Sequence, residues 1–420
     1  QMLNIGIIGV GTVGTSVIKI LESNRDIISA RAGVELNVIK GVVSNLSKDR
    51  GVKTPLTTNV NDILDDDNID IVVELMGGVD EPRQIVTKAL KSGKSVVTAN
   101  KALLAYHRYE LETLCSDTIQ LGYEASTAGG IPIITALKNG LSANHINSLK
   151  GIINGTCNYM LTKMRDEGVA YDDILKEAQD LGYAEADPSF DVGGFDAAHK
   201  LLIMASIAYG IDAKPEDILI EGIENITQDD IAFAREFGYE IKHLGIAKIE
   251  DNAVSLRVHA VLMPNSEMIA KIDGVMNGIS VVGDKVGETL YYGPGAGGDA
   301  TASAVIADLV DIARGGKGAM LGFSKPLESG LTLASKDDIT SKYYIRMEVK
   351  DEAGVLEKIT AILAKESISI ETMLQRASGD TANLLLSTHT AKEKSIQNAL
   401  QEISALTSVK SKPVLIRIED

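Results

Sequence analysis

The chain has 420 residues, 45% of them hydrophobic and 24% charged, with a formal net charge of -17 at pH 7. That length predicts two or three domains, the acidity argues against a nucleic-acid partner, and no apolar run approaches the roughly 18 residues of a membrane span. Two cysteines, Cys115 and Cys157, lie far apart and in no CxxC pattern. They predict a reducing, cytoplasmic setting with no disulfide framework and no zinc site. The apolar stretch at residues 3–10 is too short for a signal peptide and lacks its cleavage region.

Residues 3–8, LNIGII, read as a buried strand, and Gly9-Val10-Gly11-Thr12-Val13-Gly14 follows directly. An amphipathic segment, SVIKILESNRDIISA, comes next and reads as one helix. This is G-x-G-x-x-G in the strand-to-helix setting that its mechanism requires. The first glycine permits the tight turn, the second admits a pyrophosphate and the third lets helix pack on strand. A plain glycine-rich corner is the competing reading. The second strand, residues 35–44, ends in Ser44-Asn45-Leu46-Ser47-Lys48 rather than in an acid. Lys48 and Arg50 could meet a 2′-phosphate, so NADP is at least tolerated.

Strands at 70–75 and 95–99 alternate with helices at 60–66 and 82–92, the pattern of a parallel sheet whose ligands lie beyond the strands' carboxyl ends. Lys101 falls at such an end, although a lysine after a strand is commonly just a surface residue. Residues 118–126 read as a strand leading into Thr127-Ala128-Gly129-Gly130-Ile131-Pro132. Glu124 with turn carbonyls could hold a hard cation, or the stretch could be a glycine hinge. From about 133 the pattern shifts to helices followed by runs of strands, an α+β domain with a largely antiparallel sheet. Residues 293–299, GPGAGGD, make a second glycine turn before an apolar helix. Residues 320–340 read as a linker. Residues 343–420 show the order β-α-β-β-α-β, a ferredoxin-like unit. In that unit Asp351-Glu352-Ala353-Gly354-Val355-Leu356 turns from strand to helix and offers backbone N–H groups.

The most distinctive stretch is LGYAEADPSFDVGGFDAAHK, residues 181–200. Glu185, Asp187, Asp191 and Asp196 precede one amine, Lys200. A helix beginning near Phe195 places Lys200 one turn after Asp196 on the same face, and beyond Lys200 nearly every residue is apolar. An acidic loop with one i,i+4 ion pair could simply start a helix. The amine instead stands at the mouth of a dry core with acids gathered in front of it.

GVGTVG, VVTANKALLA, YEASTAGGIPI, GIINGTCNYMLTKM, the 181–200 stretch and YYGPGAGGDATASAV occur in this order and together resemble homoserine dehydrogenases, while the tail resembles an ACT domain, with DEAGVL as its usual turn. The resemblance covers nearly the whole chain. It implies an α/β architecture: a Rossmann-type dinucleotide-binding domain (1–132), an α+β catalytic and dimerisation domain (133–300), a helix returning to the nucleotide domain (301–320), a linker (321–341) and a ferredoxin-like ACT domain (342–420). It implies reversible oxidation of L-homoserine to L-aspartate 4-semialdehyde with NADP or NAD, a step toward threonine, methionine and isoleucine, feedback-regulated by threonine. Lys200 falls on the family's acid/base lysine and Lys101 on its cofactor- and substrate-side lysine. Glu185, Asp191 and Asp196 match the substrate-binding acids. Gly9, Gly11, Thr12, Val13, Gly14, Lys101 and Gly297 match cofactor-binding positions. Glu124 with the carbonyls of Thr127, Gly129 and Ile131 matches a sodium site, and Asp351, Gly354, Val355 and Leu356 match the effector turn. A cytoplasmic homodimer or homotetramer is implied. Two departures are visible: Gly193 and Phe195 replace residues that are often Glu and Ile or Leu, and Thr127 stands where Val is common. Another ACT-bearing dehydrogenase would use a histidine base, for which His199 and His243 are the candidates. A catalytically silent, cofactor-bound amino-acid sensor is the alternative of a different class.

Overall fold

The computed structural model describes every residue except Lys317, Ser329 and Asp420. Its contacts divide it into two bodies. The first holds Gln1–Ile153, His199–Pro215 and Met276–Thr332; the second holds Asn154–Ala198, Glu216–Val275 and Leu333–Asp420. Among the described residues no helix is long and apolar enough to cross a membrane.

The first body is built on a six-stranded sheet of β1 (Met2–Ile8), β2 (Glu35–Val42), β3 (Leu56–Thr57), β4 (Ile71–Glu74), β5 (Ser95–Thr98) and β6 (Leu121–Gly122), in the order β3-β2-β1-β4-β5-β6. Every pairing is parallel. The central strands β4 and β5 are wholly buried, with apolar Ile71, Val72, Val73, Val96 and Val97 and with polar residues only at strand ends, as suits strands covered by helices on each side. The predicted first helix is in fact two, Thr12–Ser23 and Arg25–Ala32. Ser23 Oγ lies 3.2 Å from Asn24 Oδ1, and Asn24 itself leaves helical geometry, at φ -109° and ψ 22°. Short polar side chains of this kind compete with the backbone ladder and end helices.

The predicted strand at 118–126 also differs. Only Leu121–Gly122 pairs, and Glu124–Ser126 forms a 3-10 turn. Side chains take the backbone partners here: Glu124 N donates to Asp308 Oδ2 at 2.9 Å, and Ser126 Oγ donates to Tyr123 O at 2.6 Å. The helix Gly298–Ala313 returns to this body and lies against Thr12–Ser23. A Cβ on Gly298 would come within 2.8 Å of Ser16 Oγ, so the close approach of the two helix starts depends on that glycine. Strands Ile146–Ile152, Met276–Gly283 and Gly287–Pro294 form antiparallel pairs in the same body.

The second body contains helices Gly155–Glu167, Tyr171–Asp180 and Gln228–Glu236 and a long hairpin, Tyr239–Glu250 with Ala253–Pro264, in register throughout. Asp251 and Asn252 turn the hairpin with φ of 48° and 67°, the left-handed pair that a two-residue turn of this type needs. Helix Gln228–Glu236 has no counterpart in the sequence reading. Its signal was present in Thr227-Gln228-Asp229-Asp230, which forms a reciprocal capping box,. The tail realises the predicted β-α-β-β-α-β order. Val414–Ile418, Thr340–Lys350, Thr381–Thr388 and Ile370–Ser378 lie side by side, every pairing antiparallel. The pattern predicts a unit closed on itself, yet its last strand has a second neighbour: Arg417 pairs with Val261 and Ile418 with Leu262 in parallel.

Arg108 shows how the first body fixes the helix that bears Lys200. It is buried in helix Lys101–Glu112, and its guanidinium donates to Ser206 Oγ (2.6 Å), Ala105 O (2.7 Å) and Ala213 O (2.7 Å). Replacing it leaves buried acceptors unpaired. Arg108→Ala is expected to lower the unfolding free energy by about 2–4 kcal/mol, measured by urea denaturation.

Candidate active site

In the first body the glycine turn meets the helix it feeds. Gly11 and Thr12 are exposed at the helix N-terminus, where free N–H groups suit a phosphate. Gly14 is buried, and a Cβ there would stand 2.5 Å from Gly9 O. Val13, between them, is half-buried. Arg50 reinforces the turn: its Nε donates to Val10 O at 2.8 Å, and its Nη1 donates to Asn45 O and Lys48 O at 2.9 and 3.0 Å. Gly297 (φ 123°) caps the helix Gly298–Ala313. Through Gly298 its start lies against Thr12 and Ser16, so the two glycine turns sit together.

The carboxyl ends of β4 and β5 are held by a residue that the sequence reading passed over. Glu74 is fully buried. It accepts from Thr98 Oγ1 (3.0 Å), Asn100 Nδ2 (3.2 Å) and Met76 N (2.9 Å). Asn100 Oδ1 in turn accepts from Leu103 N at 3.0 Å, capping the helix whose first residue is Lys101,. Lys101 therefore begins its helix just beyond the carboxyl end of β5, and a buried acid orients that helix. A strand-terminal Glu in an otherwise apolar run, VVEL, is the signal that could have found it.

Helix Phe195–Tyr209 carries Asp196 in its first turn and Lys200 one turn later. Lys200 Nζ donates to Ile153 O at 2.8 Å and is half-buried, while Leu201, Leu202, Ile203, Met204 and Ala205 behind it are fully buried. In the second body Asn154 gathers the acids: its Nδ2 donates to Asp191 Oδ1 and to Asp196 Oδ2, both at 2.9 Å. Asn154 Oδ1 accepts from Cys157 N at 2.9 Å, so the same side chain caps helix Gly155–Glu167. Glu185 is exposed, in a turn whose backbone carbonyl accepts from Gln179 Nε2 at 2.9 Å. Asp187 is likewise exposed and is taken up by Ser189, whose Oγ donates to it at 2.7 Å. The histidines are less suited to base chemistry. His199 packs edge-on to Tyr106. His243 Nε2 lies 3.0 Å from the backbone carbonyl of Glu221, and burial holds its pKa below the usual range.

Glu124, in the first body, is buried and accepts from Thr135 N through Oε2 at 3.0 Å. Its Oε1 has no hydrogen-bond partner among the described residues. Burial first, then the charge of Asp308, pushes its pKa up to about 8, and burial pushes Asp308 up to about 7. A buried carboxyl oxygen with no donor is the kind of atom that a hard cation takes. Among the described residues no group of three or more His, Cys, Asp or Glu gathers; beside Glu124 stands only the second acid Asp308, so a cation there would need backbone carbonyls to complete its donors. In the tail, Gly354 (φ 86°) precedes helix Val355–Lys365. Asp351, Gly354 and Leu356 are exposed around it, and Val355 is buried beneath.

The two glycines of the nucleotide turn predict different failures. Gly14→Ala should cost about 1–3 kcal/mol of stability, because it drives the helix off Gly9 O. A Cβ on Gly11 meets nothing within 4 Å. Gly11→Ala should therefore keep the wild-type melting temperature while weakening NAD(P) binding by roughly tenfold or more, through loss of close backbone approach. Calorimetric titration beside thermal unfolding distinguishes the two.

Comparison with known proteins agrees along the whole chain. A family model described as "Homoserine dehydrogenase" matches residues 132–310, "Homoserine dehydrogenase, NAD binding domain" matches 9–118, and "ACT domain" matches 343–407. A homoserine dehydrogenase of Helicobacter pylori is 54% identical over 422 residues, covering 100% of both chains, and one of Bacillus subtilis is 38% identical over 100% of this chain and 99% of its own. Among solved structures, a homoserine dehydrogenase from Thiobacillus denitrificans superposes with a TM-score of 0.94 at 45% identity, covering 100% of this chain and 99% of that one. A hyperthermophilic archaeal homoserine dehydrogenase in complex with NADPH gives a TM-score of 0.65 at 27% identity, covering 74% of this chain and 98% of that one. With its NAD-binding parallel sheet, its clustered acids and its ACT tail, this chain belongs to the homoserine dehydrogenase family of oxidoreductases.

Proposed function

We propose that the chain catalyses reversible oxidation of L-homoserine to L-aspartate 4-semialdehyde, with Lys200 as the general base. The carrying observation is the position of Lys200 one helical turn beyond Asp196, with a half-buried amine and a dry helix behind it. When bound, NAD(P) accepts the hydride from the substrate's C4. Lys200 Nζ takes the hydroxyl proton and returns it in the reverse direction. Glu185, Asp191 and Asp196 hold the substrate's ammonium group, which orients the reacting carbon. Lys101, at the crevice, faces both cofactor and substrate. Gly9, Gly11, Thr12, Val13, Gly14 and Gly297 surround the nucleotide's phosphates.

The rest of the reading follows the same division. Residues 1–132 bind nucleotide, 133–300 bind substrate and pair subunits, 301–320 return to the nucleotide domain, 321–341 link, and 342–420 form the ACT domain. Glu124 and the carbonyls of Thr127, Gly129 and Ile131 take a sodium ion. Threonine binds at Asp351, Gly354, Val355 and Leu356 and inhibits, within a cytoplasmic homodimer or homotetramer.

The direct test is homoserine-dependent reduction of NAD+ and NADP+. No turnover with either nucleotide ends the proposal. Lys200→Met should lower kcat by about 10²–10⁴-fold at unchanged NAD(P) affinity, and a variant with wild-type kcat removes Lys200 from its role. For the cation, sodium should raise the melting temperature of the wild type and leave that of Glu124→Gln unmoved. An equal rise in both would remove Glu124 from the site.

A further inference from the structure

A buried arginine of the ACT region holds a residue that abuts the turn carrying the proposed substrate acids. Arg417 lies in the last strand and is fully buried. Both terminal nitrogens of its guanidinium engage the carboxylate of Glu221, with Nη2 to Oε1 at 3.0 Å. Nη2 also donates to Glu393. Glu393 is itself buried and accepts from the Tyr343 hydroxyl at 2.6 Å and from Gln397 Nε2 at 3.0 Å. A buried guanidinium needs a counter-charge, and Glu393 supplies one. Glu221 does not need Arg417 in the same way, since its side chain is 36% exposed and water can solvate it. The second, bidentate pairing helps to neutralise Arg417 and also fixes the orientation of the Glu221 carboxylate.

What Glu221 constrains is next to the acids. Its backbone N donates to Val258 O at 2.8 Å, and its carbonyl lies 2.8 Å from where a Cβ on Gly194 would stand. Ile223 N donates to Val192 O at 3.0 Å, and a Cβ on Gly222 would stand 2.1 Å from that same Val192 oxygen. Residues 221–223 thus press backbone to backbone on the turn 192–194, with a glycine on each side, and His243 and Glu224 border the contact. That turn joins Asp191 to Asp196, the two acids clamped by Asn154.

We propose that Arg417 and Glu221 are positioning residues for the substrate-binding turn 191–196: the ACT region's last strand holds Glu221, and Glu221 holds the turn. This rests on the reading of Asp191 and Asp196 as ligands of homoserine's ammonium group. Glu221→Gln removes the charge at a half-exposed position and is expected to fold. Arg417→Lys keeps a cation but cannot bind bidentately.

The test compares full-length wild type, both single variants and the double variant for homoserine KM, kcat, NAD(P) Kd and melting temperature. The expected result is a rise of about tenfold in homoserine KM for Glu221→Gln, the scale of one lost charge-assisted contact, with kcat and nucleotide Kd within about twofold. The double variant should be no worse in KM than Arg417→Lys alone, as expected for two members of one relay. A lowered melting temperature with unchanged KM overturns the proposal and leaves a purely structural ion pair. KM effects that multiply independently in the double variant also overturn it. An inactive wild type would instead sink the functional reading and take this proposal with it, whereas an active wild type with an unmoved Glu221→Gln sinks this proposal alone.

Discussion

Two carboxyl groups held by one neutral amide are the constraint on which the acid-bearing turn of the second body depends. Asp191 and Asp196 approach the same Asn154 nitrogen, and like charges brought together resist ionisation and closeness alike. A lysine in place of Asn154 would relieve the repulsion by cancelling one charge. An amide satisfies a lone pair on each acid and adds no charge of its own. The oxygen of the same amide starts helix Gly155–Glu167, so the clamp cannot drift without unwinding a helix.

The nucleotide side is organised by absence of side chains. Gly14 beneath Gly9, and Gly298 beside Ser16, bring backbones together at distances that a methyl group would forbid. Each approach delivers a helix start, with its unpaired N–H groups, to one place. Glu74 complements them from the other strand ends. As a buried acid that accepts from backbone, hydroxyl and amide donors, it shapes the loops after β4 and β5 with its charge turned inward.

Much of this architecture was legible because it is local. The strand–glycine–helix run at the N-terminus, the period-two strands of the tail and the i,i+4 relation of Asp196 to Lys200 follow from residues near one another. The failures are equally instructive. The helix break at Asn24 came from a Ser-Asn pair that a periodicity count treats as merely polar, and the capping box at Thr227 was legible but unread. The 3-10 turn at Glu124 was not legible, because its partner, Asp308, lies 184 residues away. Neither was the clamp on Asn154, which spans 37 and 42 residues, nor the Arg417–Glu221 pair at a separation of 196. Composition marks such residues as candidates for pairing, and only the folded chain selects the partner.

The parallel pairing of residues 417 and 418 with 261 and 262 has a consequence for assembly. Until residue 418 has been synthesised, Val261 and Leu262, on one edge of the long hairpin, lack their parallel partner and Glu393 lacks its arginine. Closing that edge joins segments about 150 residues apart, a slow, late step of the kind that high contact order imposes. The nascent second body should therefore wait, with the edge at Val261 and Leu262 open, for the strand Val414–Ile418. Chaperone capture would concentrate in that interval.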